Sequence, residues 1–189
     1  MPHSRIKKMA IATVAAATAV LAVGATSVLA AIVMVQPDIV EFTPTDVRLD
    51  QTQSDVRIIG FDEKQCFQLG ANLDTDRGSI AAGTNVSCHF FHMDPVTGGP
   101  VLDGRARFDG NILGVISRTA LLDASDVTCT APGVPGVLYP TGTNANRGLE
   151  AFQPNDRYQI IEAGFGIRIQ MDVPSFLDQV RVVTSCSPR

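Results

Sequence analysis

Beyond residue 35 the apolar positions fall in short runs broken by turn residues, and their spacing is that of strands rather than helices. Val56-Arg57-Ile58-Ile59-Gly60-Phe61 opens the series and is rich in β-branched residues. Thr84 to Met93 is the longest unbroken run, closed by Asp94-Pro95 and Thr97-Gly98-Gly99-Pro100, which cannot continue a ladder. Gly104-Arg105-Ala106-Arg107-Phe108 alternates, setting Ala106 and Phe108 on one face and both arginines on the other. Asp109-Gly110 then leads into the apolar run Ile112 to Ile116, and two strand-like runs joined by Asp-Gly predict a hairpin. Thr128 to Gly148 reads as a long excursion stapled by Cys129. Strand character returns at Arg157–Ile161, Gly166–Met171 and Gln179–Thr184. No helical period is sustained after residue 35 and no fixed repeat emerges. The expected fold is all-β: an antiparallel β-sandwich, jelly-roll-like, with about eight strands.

The first 35 residues differ in kind. MPHSRIKK is basic, Met9 to Val23 is apolar and alanine-rich, and Val28-Leu29-Ala30 supplies the small residues of a cleavage site, so residues 1–30 read as a signal peptide. Because apolar character continues through Ile32-Val33-Met34-Val35, an uncleaved anchor reaching residue 35 is the alternative. Residues 36–55 are polar, contain two prolines and lack a sustained period, so residues 31–55 are expected to be a flexible leader, and residues 56–186 form the expected sandwich domain. Export implies an oxidising compartment, where Cys66, Cys88, Cys129 and Cys186 suggest two disulfides; three connectivities are open.

Charge narrows the partners. Arg5, Lys7 and Lys8 precede the apolar run and residues 1–30 contain no acid, so the remainder carries 12 basic against 19 acidic residues, a formal charge of −7. That balance argues against nucleic acid. A cell-surface or extracellular polymer or protein is the expected kind of partner, with membrane contact only through an uncleaved N-terminal segment.

Several motifs offer chemistry. His89 and His92 stand three apart; on a strand they point to opposite faces, which opposes a joint metal site. Asp74-Thr75-Asp76-Arg77-Gly78 begins like a calcium loop but has Gly78, Ser79 and Asn85 at the fifth, sixth and twelfth positions, so a turn between strands is the better reading. A looser calcium site is considered at Asp123 and Asp126, with Asp123, Asp126, Arg147, Glu150 and Asp156 as the candidate binding residues on loops at one end of the sandwich. No catalytic set is identified: the chain lacks a G-x-S-x-G elbow. It also has no tryptophan and only two tyrosines, few of the flat aromatic platforms that sugar-binding surfaces use.

GTNVSCHFFHMDP, FDGNILGVI, LDASD, RGLE at Arg147 to Glu150 and DQVRVVT at Asp178 to Thr184 resemble, in that order, secreted bacterial β-sandwich proteins of unknown function that often carry PEP-CTERM sorting tails. The resemblance spans Val56 to Thr184 and implies a secreted sandwich without assigning chemistry to any residue. The sequence shows no PEP motif after Cys186, so sorting by that route is not expected. The leading expectation is a non-catalytic secreted or surface module that binds a partner or serves a structural role. A carbohydrate-active hydrolase with paired carboxylates and a calcium-dependent carbohydrate-binding module are the alternatives.

Overall fold

The computed structural model describes residues 31–97, 101–130, 136–140, 147–149, 155–172 and 177–186; the expected signal peptide, residues 1–30, lies outside them. In chain order the strands are β1 (Ile32–Pro37), β2 (Ile39–Glu41), β3 (Ile58–Asp62), β4 (Phe67–Gln68), β5 (Leu73–Thr75), β6 (Gly78–Ile80), β7 (Asn85–Met93), β8 (Leu102–Phe108) and β9 (Ile112–Ile116). After helix α1 (Thr119–Cys129) come β10 (Arg157–Ile161), β11 (Gly166–Met171) and β12 (Asp178–Ser185). A four-stranded sheet in the order β1-β8-β11-β10 packs on a larger sheet in the order β2-β3-β7-β12-β9, with β4 pairing the start of β7 and β5-β6 forming a separate hairpin. The fold is an all-β sandwich, as the alternation predicts.

Alternation decides which residues meet between the sheets. Leu102, Ala106, Phe108, Ile167, Ile169 and Met171 from the smaller sheet pack against Ile58, Phe91, Met93, Val115, Val180 and Val182 from the larger. The larger sheet also buries its other face. Phe61, Val86, Cys88, Phe90, Ile116 and Val183 there lie under Leu122 and Cys129 of α1, Leu73 and Ile80 of the hairpin, and Val47 and Tyr139 of the connecting segments. Covered on both faces, β7 and β12 are buried along almost their whole length, polar residues included.

The structure departs from four expectations. Residues 31–55 are not simply a leader: β1 pairs antiparallel with β8 and β2 pairs parallel with β3, so the sandwich begins at Ile32. The run Ile32–Val35 that extended a candidate anchor is part of β1, its backbone hydrogen bonds directed at β8. The chain switches sheets at Asp38, whose carbonyl accepts the Ile58 N–H at 2.8 Å and whose carboxylate accepts the Asp103 N–H at 2.8 Å.

The Asp109-Gly110 turn joins strands of different sheets, since β8 pairs with β1 and β11 while β9 pairs with β12. It is a corner rather than a hairpin, because the apolar faces of β8 and β9 oppose each other across the core. Finally, Thr119–Cys129 is a helix of 11 residues. It has no side-chain N-cap and no acid in its first turn, and it exposes Val127, so its sequence lacks an amphipathic signature. Its buried residues, Leu122, Ser125 and Cys129, fall three and four apart on one face, and tertiary contacts there supply what propensity does not.

Disulfides join Cys66 to Cys186 and Cys88 to Cys129. The second ties the last turn of α1 to β7, and the first ties the approach to β4 to the end of β12. Among the described residues no helix is long and apolar enough to cross a membrane.

Candidate functional site

The acids chosen from sequence near Asp123 lie on α1, and a buried arginine network holds that helix to the larger sheet. Arg181 reaches from β12, on the face opposite the small sheet. Its Nε and Nη2 donate to the two Glu63 carboxylate oxygens at 2.7 Å each, and Nη2 also donates to Asp126 Oδ1 at 2.9 Å. Its Nη1 donates to the Ser125 hydroxyl and to the Leu122 carbonyl. Arg147 supplies a second guanidinium: Nε to Gln179 Oε1 at 2.7 Å, Nη1 to Asp123 Oδ1 at 2.8 Å and to Asp126 Oδ2 at 2.6 Å. Both arginines are fully buried. Arg147 is delivered by a segment pressed on the start of α1, where Leu149 N–H donates to the Ser117 carbonyl at 2.8 Å and a side chain at Gly148 would overlap that carbonyl.

Burial alone would lower the Arg181 pKa, but the Glu63 charge and hydrogen bonds outweigh it and raise it. Tyr139 donates its hydroxyl to Glu63; burial and the neighbouring Glu63 charge hold that phenol well above its usual range. The Arg181 guanidinium also lies 4.9 Å from the centre of the Phe90 ring. Both oxygens of Asp126 face guanidinium groups, so arginine provides the positive charge that a calcium ion would bring. Of the candidate residues, Asp123, Asp126 and Arg147 are therefore brought together. Asp156 instead precedes β10 in the other sheet and accepts the Asp172 N–H at 2.6 Å, and Glu150 lies outside the described residues.

The two histidines occupy opposite faces of β7, as strand geometry requires. His92 shares the α1 side with the network. Its Nδ1 is 3.2 Å from Gln179 Nε2 and its Nε2 is 3.3 Å from the Thr52 carbonyl, a pattern that suits the neutral ring with the proton on Nε2. Burial pushes its pKa down to about 4. Two residues on, buried Asp94 meets the same 46–55 segment, where burial pushes its carboxyl up to about 6 against the N–H groups of Asp50 and Gln51. His89 instead faces the inter-sheet core, its Nδ1 2.6 Å from Asp62 Oδ1 and its Nε2 2.9 Å from the Thr184 hydroxyl. The order acid, imidazole, hydroxyl matches a hydrolytic triad. However, His89 and Thr184 are fully buried and the ring stacks 4.6 Å from Phe108, so a substrate has no approach to that hydroxyl. Asp62 Oδ1 also accepts the Ile32 N–H at 3.2 Å, and the trio ties the start of β1 to the larger sheet.

Among the described residues, Glu63, Cys88 and Cys129 form a close trio of metal-ligating types, but its sulfurs are joined in a disulfide and offer no thiolate. A cavity of about 80 Å³ lies beside Glu63 and Tyr139, well below the size of pockets that take drug-sized ligands.

The outward face of the four-stranded sheet has another character. Arg105 and Arg107 point outward from β8, as the alternation predicts, while Ala106 and Phe108 point in. Pairing adds Arg168 directly opposite Arg105, and Arg157 opposite Gln170. Arg168 Nε donates to Asp103 at 2.8 Å, Arg157 donates to Gln170, and Arg107 meets Glu162 at 3.4 Å. Arg105 makes no hydrogen bond or ion pair with the described residues. Sequence reasoning missed Arg157 and Arg168 here, and Glu63, Gln179 and Arg181 in the buried network. The polar positions of Gly166–Met171 signalled an outward face, but only register could place them beside Arg105.

No family model, curated protein or solved structure matches this chain.

Proposed function

We propose that this chain is an exported, non-catalytic β-sandwich module that acts by recognition outside the cell or at its surface. The observation that carries this reading is how chemistry is divided between interior and surface. The triad-like trio and the arginine network are turned inward with their hydrogen-bonding groups engaged, whereas the outer sheet face holds arginine and glutamine side chains on a rigid scaffold. Two disulfides are of a kind that persists in oxidising compartments. The basic, apolar and small-residue order of the N-terminus supports the export route, and the resemblance to secreted bacterial sandwich proteins points the same way.

The test is to express the chain with its N-terminus intact, fractionate the cells and alkylate free thiols. Recovery outside the cytoplasm, with all four cysteines protected and a mature N-terminus near Ala31, is expected. Cytoplasmic protein with free thiols overturns the reading.

A further inference from the structure

We infer that the outward face of the four-stranded sheet is a binding track for an acidic polysaccharide, a polymer carrying carboxylates among hydroxyls; this rests on the reading of the chain as an exported recognition module. The registers place Arg107 and Arg105 two residues apart on β8, Arg168 across from Arg105 on β11, and Arg157 one strand further and one row along on β10. The four arginines therefore form a diagonal staircase. With strands about 4.8 Å apart and about 6.8 Å between alternate residues, it runs roughly 17 Å. Gln36 and Gln159 extend the row of Arg105 and Arg168 to either side, and Gln170 sits beside Arg157.

Two features separate this face from an ordinary solvated one. Like charges directly opposite on neighbouring strands oppose pairing, yet Arg105 and Arg168 occupy such a pair. Arg168 is relieved by its ion pair with Asp103, whose charge also faces Arg105, while Arg105 itself is exposed and makes no hydrogen bond or ion pair with the described residues. The chain also carries a net negative charge, so four arginines along one diagonal run against its overall balance. Asp103, Asp38 and Glu162 border the track: Asp103 is engaged by Arg168 and Gln170, and Asp38 by the Asp103 N–H.

Guanidinium forks match carboxylates in two-point geometry, and glutamine amides donate to and accept from hydroxyls. Alternation of the two suits a polymer in which acid groups are interspersed with hydroxyls. A nucleic acid is the poorer fit, because the outward positions of the described strands in this sheet hold no aromatic ring on which bases would stack.

The probe is polygalacturonate in affinity electrophoresis of the purified protein, with dextran as the uncharged control and single-stranded DNA as the phosphate control. Retardation by polygalacturonate at low salt, lost as salt screens the charges, is expected, with none by dextran. Arg105→Gln should weaken it at least about tenfold, the effect of losing one charged hydrogen-bonded contact, and R105Q/R107Q should abolish it while the thermal midpoint stays close to that of the wild type. Absence of retardation, equal retardation by dextran, or an R105Q/R107Q variant that binds like the wild type overturns the assignment. Equal or stronger binding of DNA overturns the choice of polysaccharide. Because fractionation tests export separately, an exported protein that ignores polygalacturonate removes this inference alone.

Discussion

At the scale of single residues, the most demanding side chain is Arg181. Glu63 is almost wholly buried with it, and a buried charge stripped of its partner is far costlier than the pair. Arg181→Met should destabilise the fold by about 3–5 kcal/mol in urea unfolding. The double variant R181M/E63L should recover part of that loss, because it removes the orphaned carboxylate too. An R181M protein as stable as the wild type would show that the network contributes no net stability.

His92 and Asp94 set a second residue-level expectation, about pH. His92 titrates near 4 in the folded chain and near 6.5 unfolded. Its neutral burial therefore stabilises fully above 6.5 and is lost as pH falls through 4, a swing of about 3 kcal/mol. Asp94 is raised to about 6 from 3.8, so its contribution is present below 3.8 and is lost as pH rises through 6. The two oppose each other between pH 4 and 6. His92→Gln should leave stability falling as pH rises across that window, and Asp94→Asn should leave it rising. Parallel profiles for the two variants would contradict the assignment.

At the scale of elements, α1 depends on its neighbours. Its sequence offers no capping side chain, and it is held by the Cys88–Cys129 bridge and by Asp123 and Asp126 on the buried guanidinium groups. By chain entropy, closing 41 residues stabilises by about 4 kcal/mol and closing 120 by about 5. C66A/C186A should therefore cost about 1 kcal/mol more in global stability than C88A/C129A. Hydrogen exchange should distinguish them in another way: losing the Cys88–Cys129 bridge should release the amides of Thr119–Cys129 selectively. Uniform loss of protection in both variants would sink that view of the helix.

At the scale of the whole molecule, the sandwich is closed where the chain passes from β1 to β2. Ile39 packs there against Gly104 of the other sheet, and a side chain at residue 104 would overlap it. Gly104→Ala should cost about 1–3 kcal/mol through overpacking. In an Ile39→Ala background the same change should be close to neutral, and additive costs in a double-mutant cycle would refute the contact. The larger sheet is the layer the molecule is built around, with the small sheet on one face and α1 and the β5-β6 hairpin on the other. That three-layer burial leaves the outer face of the small sheet as a broad regular surface.

Local pattern was enough to reveal the strands of the core, because alternation and β-branched runs are consequences of each segment's own geometry. The same period separated His89 from His92 and turned Arg105 and Arg107 outward. It did not disclose β1, whose partner β8 lies far along the chain, or β2, a three-residue strand paired in parallel with β3, or α1, whose helical state rests on contacts its sequence does not encode. The Asp-Gly signal marked a true turn at residues 109–110, but whether a turn folds a strand back on its neighbour or carries it to another sheet depends on which faces must be buried. Of the candidate site, sequence located Asp123, Asp126 and Arg147 without their meaning. Glu63, Arg181 and the arginines of β10 and β11 found their partners only through strand pairing. Residue type and alternation set which side of a strand each group faces, whereas its neighbours are fixed by long-range pairing, which only the packed core selects.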